Sequence, residues 1–326
     1  MSILVTGGAG YIGSHCVAML LEQNYDVVIV DNAGHKQSLK GGRLYEGSLL
    51  DKAFLKNVFE TEKIEAVIHF AAHSLVGESI ADPGKYFENN IVGALNLLEC
   101  MRTYNVNYLI FSSTAATYGE PECVPIVENQ RRSPINPYGE SKLCIEKICK
   151  WFDNAYGIKY CALRYFNVAG AWRDGTIGED HRPETHLIPN ILRYALGKLP
   201  SLTIYGNDYP TPDGTCIRDY IHVEDLICGH ISALDYLKNG GSSDCFNLGI
   251  GKGFSNLEIL EAARNVTGLP IPFEFGPRRP GDPASLVASG QKAMDALRWK
   301  PKRTAIGDIV ASAWKWHRSH PDGYIE

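Results

Sequence analysis

The stretch TGGAGYIGSH (residues 6–15) constrains this chain more than any other. It follows the short apolar run SILVT (2–6) and opens a segment with helical periodicity over 11–23. Its glycines read either as Gly7-x-x-Gly10-x-x-Gly13 or as Gly8-x-Gly10-x-x-Gly13. In both readings they permit a tight turn and let backbone N–H groups approach a pyrophosphate at a helix N-terminus. The second apolar run, VVIVDN, ends in Asp31. A carboxylate there accepts hydrogen bonds from a ribose diol and repels a 2′-phosphate, so the expected cofactor is NAD rather than NADP.

The first half of the chain continues the alternation. Apolar runs at 26–30, 66–70, 107–113 and 159–165, with a weaker one at 43–47, are separated by helical patterns at 51–63, 84–104 and 138–155. Runs apolar on both faces, alternating with helices, predict a doubly wound parallel sheet of the Rossmann-like α/β class. After Asn167 the pattern breaks into a polar, glycine-containing segment (170–186). Shorter elements follow: helices at 187–197, 223–238, 255–267 and 304–319, and a strand at 202–206. The expected division is a cofactor-binding domain over 1–170, rejoined by parts of 220–250, and a smaller mixed α/β substrate domain over 171–326.

NPYGESK places Tyr138 and Lys142 four residues apart on a predicted helix, hence on one face. A tyrosine hydroxyl titrates near about 10, too high for a base at neutral pH. An ammonium beside it favours the phenolate, as would a positive nicotinamide ring. Thr114, ending the run NYLIFSST, can hydrogen-bond the same substrate oxygen.

Net charge −5 excludes polyanion binding by bulk charge, and nothing points to nucleic acid. Nine cysteines at irregular spacing, without a C-x-x-C pair, predict neither a zinc site nor a disulfide framework. His69, His73 and His186 read as pocket or core groups, with no second ligand at a matching spacing, so no metal is expected. With no leader pattern and no apolar run near the roughly 20 residues that span a bilayer, the expected location is the cytoplasm, away from the membrane.

The chain resembles the extended short-chain dehydrogenase/reductase family, and within it the branch acting on sugar nucleotides. The stretches that carry the resemblance span nearly the whole chain: TGGAGYIGSH, HFAAHSLVGES, ENNIVGALNLLE, FSSTAATYGEP, PYGESKL, LRYFNVAGA, IYGNDYPTPDGTCIRDYIHVEDL and RRPGDPASLVAS. The resemblance implies a triad of Thr114, Tyr138 and Lys142. It implies an NAD site lined by Gly7, Gly10, Tyr11, Ile12, Gly13, Asp31, Asn32, Phe70, Ala71, Ala72, Asn89 and Phe166. Asn167, Leu187, Arg218, Arg279 and Asp282 would hold a UDP-sugar, the two arginines as forks on its diphosphate. It also implies a homodimer through the helices near 84–104 and 138–155, for which Leu95, Leu98, Met101, Ile145 and Ile148 are candidates.

Three positions depart from the family pattern on the cofactor side. Ser48 stands where many members have aspartate, Ser74 where some have lysine, and the loop NAGHKQSLKGG after Asp31 is short. A weaker grip on NAD is the expectation. Leu286 stands where some members carry tyrosine; without the ring, an N-acetyl group at sugar C2 is expected to fit.

The triad alone sets only the first step, oxidation at sugar C4. Dehydratases of the family then need an acid–base pair directly after the Ser/Thr hydroxyl, and here those positions are Ala115 and Ala116. Alanine moves no protons, so elimination drops out. The resemblance therefore implies inversion at C4 of a UDP-hexose, interconverting its galactose and glucose forms, with NAD regenerated each turn and kept bound. Other expectations of the same residues are an N-acetylglucosamine or glucuronate 4-epimerase, and, from another class, a non-catalytic NAD-binding regulator.

Overall fold

The computed structural model describes residues 1–32, 39–279 and 281–324. Its strands in chain order are β1 (Ser2–Thr6), β2 (Asp26–Asp31), β3 (Arg43–Glu46), β4 (Ile64–His69), β5 (Tyr108–Thr114), β6 (Lys159–Tyr165), β7 (Asn167–Ala169), β8 (Thr203–Tyr205), β9 (Ile217–His222), β10 (Asp244–Leu248), β11 (Gly253–Ser255), β12 (Glu274–Gly276) and β13 (Ser285–Leu286). Seven of them form one sheet in the order β3-β2-β1-β4-β5-β6-β10, and each neighbouring pair is parallel.

Period-2 alternation explains why both faces are covered. In β1, Ile3 and Val5 join one core cluster, with residues of the helices Tyr11–Glu22 and Val223–Lys238; Leu4 joins the other. In β2, Val27 and Ile29 face the first cluster, Val28 and Val30 the second. The second face is closed by the helices Lys52–Thr61, Gly93–Thr103 and Pro137–Tyr156. The strand order reverses between β1 and β4, so a crevice opens at their carboxyl ends, where ligands of open α/β sheets bind.

A smaller four-stranded sheet, β11-β9-β13 with β7 pairing the later residues of β9, packs with the helices Leu187–Ala195, Asn256–Thr267 and Ile306–Ser319 around its own core. β7 begins two residues after β6 ends, so the chain passes directly from the large sheet to the small one.

Two expectations need correction. The helical pattern over 84–104 is not one α-helix: Pro83–Tyr86 leads into a π-helical segment, Phe87–Val92, and then Gly93–Thr103. The wider turn carries Asn90 inward. Its Oδ1 accepts from His73 N–H (2.9 Å), and its Nδ2 donates to the His73 carbonyl (3.1 Å) and to Ser141 Oγ (3.0 Å). Three of the five candidates for a dimer face are also not at the surface. Leu98, Met101 and Ile145 are buried against this chain's own sheet, and only Leu95 and Ile148 reach outward.

β9 and β10 went unread in the sequence because IRDYIH and DCFNL are neither continuous apolar runs nor a regular alternation of apolar and polar side chains. The structure buries those polar groups as pairs. Asp219 accepts the N–H groups of Ile250 (3.1 Å), Gly251 (3.2 Å) and Ala288 (3.2 Å). Asn247 accepts from Tyr118 Oη (2.7 Å) and donates to the Ile126 carbonyl (3.0 Å).

Candidate functional site

The glycine loop after β1 shows which reading of its spacing the backbone uses. Gly7 has φ +70°, and a Cβ there would lie 2.6 Å from the Ala71 nitrogen. A Cβ on Gly13 would lie 2.0 Å from the Gly7 carbonyl oxygen, so Gly13 must be bare for the helix to pack on the turn. Gly10 caps that helix without a side-chain hydrogen bond, and its first turn holds no acid. Gly7 and Gly10 spend their own N–H groups on the turn, donating to the Val30 (2.8 Å) and Gly7 (3.2 Å) carbonyls, and the loop presents the positive end of a helix whose first turn has no side-chain cap. Asp31, at the carboxyl end of β2, is tied to the same loop, its Oδ2 accepting the Ala9 N–H at 3.0 Å.

A cavity of about 470 Å3 extends from this loop across the crevice. All twelve residues expected around NAD line it: Gly7, Gly10, Tyr11, Ile12, Gly13, Asp31, Asn32, Phe70, Ala71, Ala72, Asn89 and Phe166. Thr114, Tyr138, Lys142 and Asn167 line it too, as do Ser48, Ser74 and His73. A glycine cradle, a helix N-terminus and a diol-accepting carboxylate on one wall are a donor and acceptor set that fits a dinucleotide. The short loop after Asp31 falls largely outside the described residues.

Tyr138 sits in the first turn of the helix Pro137–Tyr156, which Asn136 caps by accepting the Gly139 N–H (2.8 Å). Thr114 caps the single 3-10 turn Ala115–Thr117, its Oγ1 accepting the Ala116 N–H (3.1 Å). With its oxygen used as acceptor, the Thr114 hydroxyl proton is available, and it stands near Tyr138. Burial raises the Tyr138 phenol above its ordinary value, and the nearby Thr114 hydroxyl pulls it back.

Lys142 behaves differently from the simple expectation of an ammonium propping up a phenolate. Its Nζ donates to the Ser112 carbonyl (2.8 Å) and lies 5.0 Å above the Phe111 ring. Burial lowers its pKa to about 7. The physical reason is desolvation with no carboxylate in contact.

A buried ion pair holds these elements in register. Arg164 of β6 meets Glu146 of the Tyr138 helix through Nε–Oε1 (2.8 Å) and Nη2–Oε2 (2.6 Å), and Ser113 Oγ donates to Glu146 (2.6 Å). Nothing in the sequence patterns singled out this pair; a Glu on an inward helix position and an Arg inside an apolar strand were the available signals.

The substrate-side residues fall into two groups. Asn167 lines the cofactor cavity and pairs in register with Tyr220 of β9. Arg218, two residues earlier on β9, lies beside Leu286 of β13. The Arg218 guanidinium binds Asp282 and also donates to the Ile217 carbonyl (2.8 Å). Arg279 lies over the Tyr205 ring at 4.4 Å, and Leu187 opens the helix Leu187–Ala195. These five do not line the cofactor cavity; Arg218, Leu286 and Asp282 stand at the small sheet, Leu187 opens a helix packed on it, and Arg279 lies against β8, which pairs with β12 apart from that sheet.

His69 is a core group, with Nδ1 2.6 Å from Thr6 Oγ1, and burial lowers it to about 3. His186 does have neighbours of ligand type, which corrects the sequence expectation. Its Nδ1 lies 2.9 Å from Glu179 and 3.0 Å from Glu184, with His181 alongside. Burial opposes charge there, yet the carboxylates outweigh it and hold His181 at about 9 and His186 at about 10. Among the described residues no helix is long and apolar enough to cross a membrane.

A family model described as "NAD dependent epimerase/dehydratase family" matches residues 3–249. A UDP-glucose 4-epimerase of Lacticaseibacillus casei is 56% identical over 327 residues, covering 99% of both chains. A crystal structure of a UDP-glucose 4-epimerase superposes with TM-score 0.98 at 54% identity, covering 100% of both chains. The UDP-glucose 4-epimerase of Bifidobacterium longum, solved in complex with NAD+ and UDP, matches with TM-score 0.94 at 40% identity, over 99% of this chain and 100% of that one.

Proposed function

The chain belongs to the NAD dependent epimerase/dehydratase family, and from that premise we propose how its residues invert C4 of a UDP-hexose. The reaction itself is NAD-dependent epimerisation of that carbon, between the UDP-galactose and UDP-glucose forms. The observation that carries the assignment of roles is that Thr114, Tyr138 and Lys142 line the NAD cavity together, with Ala115 and Ala116 following Thr114.

NAD, when bound, supplies the hydride acceptor and donor for C4. Gly7, Gly10 and Gly13 would hold its pyrophosphate, and Asp31 a ribose diol. Tyr138 takes the proton of the 4-hydroxyl and later returns it. Thr114 donates to the oxygen on which charge develops. Lys142, poised near neutrality, gains a proton most readily when a phenolate forms nearby, since each charge stabilises the other. Ala115 and Ala116 offer no group to remove a C5 proton or expel the 6-hydroxyl. The 4-keto sugar therefore stays whole and turns over within the site.

Arg218 and Arg279 hold the diphosphate while the sugar turns, with Asp282 orienting the Arg218 fork, Asn167 at the sugar and Leu187 at the nucleotide. Leu286, register neighbour of Arg218, leaves room for an N-acetyl group, so UDP-N-acetylhexosamines are accepted as well. Two chains pair through the helices Gly93–Thr103 and Pro137–Tyr156. Leu95 and Ile148 reach the surface there, and Trp151 is 71% exposed. The nine cysteines are free, in keeping with a place in the cytoplasm.

Incubating the purified protein with UDP-galactose, without added NAD, is the direct test. UDP-glucose is the expected product; no conversion even with NAD supplied, or release of a 6-deoxy-4-keto sugar, overturns the assignment.

A further inference from the structure

Between β7 and the helix Leu187–Ala195, the chain runs through Glu179, His181, Glu184 and His186 within the eight loop residues 179–186. We propose that these four side chains form a binding site for one divalent cation of the zinc type.

The geometry is that of a ligand set. One donor atom from each residue lies within 4.8 Å of all the others. His181 Nδ1 is 3.2 Å from Glu179 Oε1 and 3.5 Å from Glu184 Oε2. His186 Nδ1 is 2.9 Å from Glu179 Oε1 and 3.0 Å from Glu184 Oε1. Donors bound at about 2.0–2.1 Å to a tetrahedral zinc stand roughly 3.3 Å apart, so the imidazole–carboxylate separations need only small adjustment, and the widest separation in the set, 4.8 Å, must close on the ion.

Hydrogen bonding accounts for only part of the arrangement: Glu184 Oε1 accepts the His186 N–H (2.8 Å) and lies 3.0 Å from His186 Nδ1. His181 Nδ1 is buried and faces two carboxylates, yet makes no hydrogen bond with either. A cation shared among the four groups gives that nitrogen a partner. Glu179 and Glu184 have side chains only 6% and 2% exposed, and among the described residues neither meets a lysine or arginine within ion-pair distance. Ligation takes neutral imidazoles, so a divalent ion would stand in place of the imidazole protons between the two carboxylates.

The place is accessible. A cavity of about 280 Å3 reaches Glu179, His181 and Glu184 from the side of the C-terminal segment, near His317 and His320. Glu179, His181 and His186 face the cofactor cavity on the other side. His186 is the N-cap residue of the helix that Leu187 opens. Asp180 accepts the Tyr324 N–H at 3.0 Å, which ties the same loop to the end of the described chain. A bound ion would fasten this loop as a structural clasp between the two cavities.

The test uses the full chain in a Cys123→Ser background, which removes the exposed thiol, after stripping with chelator. Zinc is titrated and bound metal counted by elemental analysis; cobalt is added separately and its visible spectrum recorded. One zinc per chain, tetrahedral cobalt bands, and a rise in melting temperature on zinc addition are expected. His181→Ala and Glu184→Gln should each weaken zinc binding by about 100-fold or more and abolish the cobalt bands. Glu184→Gln preserves side-chain shape, so it decides the matter should His181→Ala fail to fold. Absence of stoichiometric zinc, or zinc and cobalt signals unchanged in Glu184→Gln, overturns the proposal and leaves an imidazole–carboxylate cluster without metal.

Discussion

Gly139 lies so close to Ala116 that a Cβ on it would stand 2.5 Å from the Ala116 carbonyl oxygen and 3.2 Å from the Ala116 Cβ. The first turn of the Tyr138 helix is thereby seated on the turn that Thr114 caps. Gly139→Ala must push them apart. Misplacement on the ångström scale costs roughly 10–100-fold in turnover. The expected outcome is a kcat reduced by that order with NAD content unchanged. Wild-type turnover would show that the seat does not set the Thr114–Tyr138 distance.

Tyr138→Phe removes the proton acceptor and keeps the ring. Turnover of UDP-galactose should fall by about 10²–10⁴-fold, while NAD co-purifies as before. Thr114→Val should fall less, since Tyr138 remains. A Tyr138→Phe protein at normal speed would falsify the base assignment.

Lys142 supplies a pH dependence whose sign follows from its burial. Its pKa is about 7 in the folded chain, against about 10.4 for an unfolded lysine. Between those values the unfolded chain binds the extra proton, so this residue makes stability rise with pH across that window. The cost of burying its charge is full below pH 7 and gone above about 10.4. In NAD-free protein, Lys142→Met should gain stability over the parent by an amount on the order of a few kcal/mol at pH 6, shrinking toward pH 10. Urea unfolding at pH 6, 8 and 10 checks this; a gain that grows with pH contradicts it.

Arg164 and Glu146 form a buried pair, with side chains 0% and 3% exposed. Arg164→Met strands a carboxylate and should cost about 3–5 kcal/mol of stability. Adding Glu146→Leu should recover much of the loss, because the stranded charge goes too. Denaturant midpoints of the single and double variants decide; a double variant no better than the single one would mean that the Ser113 contact matters more than the charge.

Leu286→Tyr should lower activity on UDP-N-acetylglucosamine by about 10–100-fold while changing UDP-glucose little, since the ring would crowd only the substituted C2. Parallel kcat/KM measurements on the two substrates read this directly. Equal losses on both would reduce Leu286 to a packing residue.

The parallel sheet, the glycine turn, Asp31 and the Tyr138–Lys142 pair could all be read along the chain. Each depends on local spacing: period 2 in strands, four residues on a helix, glycine where a side chain cannot fit. Other features could not. The π-helical segment at Phe87–Val92 has an ordinary helical pattern, and it is the inward hydrogen bonds of Asn90 with His73 and Ser141 that account for its wider turn. β9 and β10 looked unlike strands because their polar residues are satisfied only by partners as distant in sequence as Asn247 and Tyr118. The low pKa of Lys142 comes from desolvation, a property of packing rather than of neighbours in sequence.

His186 shows the same boundary from the other side. A histidine two residues after Glu184 is an unremarkable pair on paper. Only the folded loop brings Glu179 onto the same nitrogen and sets His181 alongside, because the convergence of four side chains is decided by the path of the backbone between β7 and the helix at Leu187.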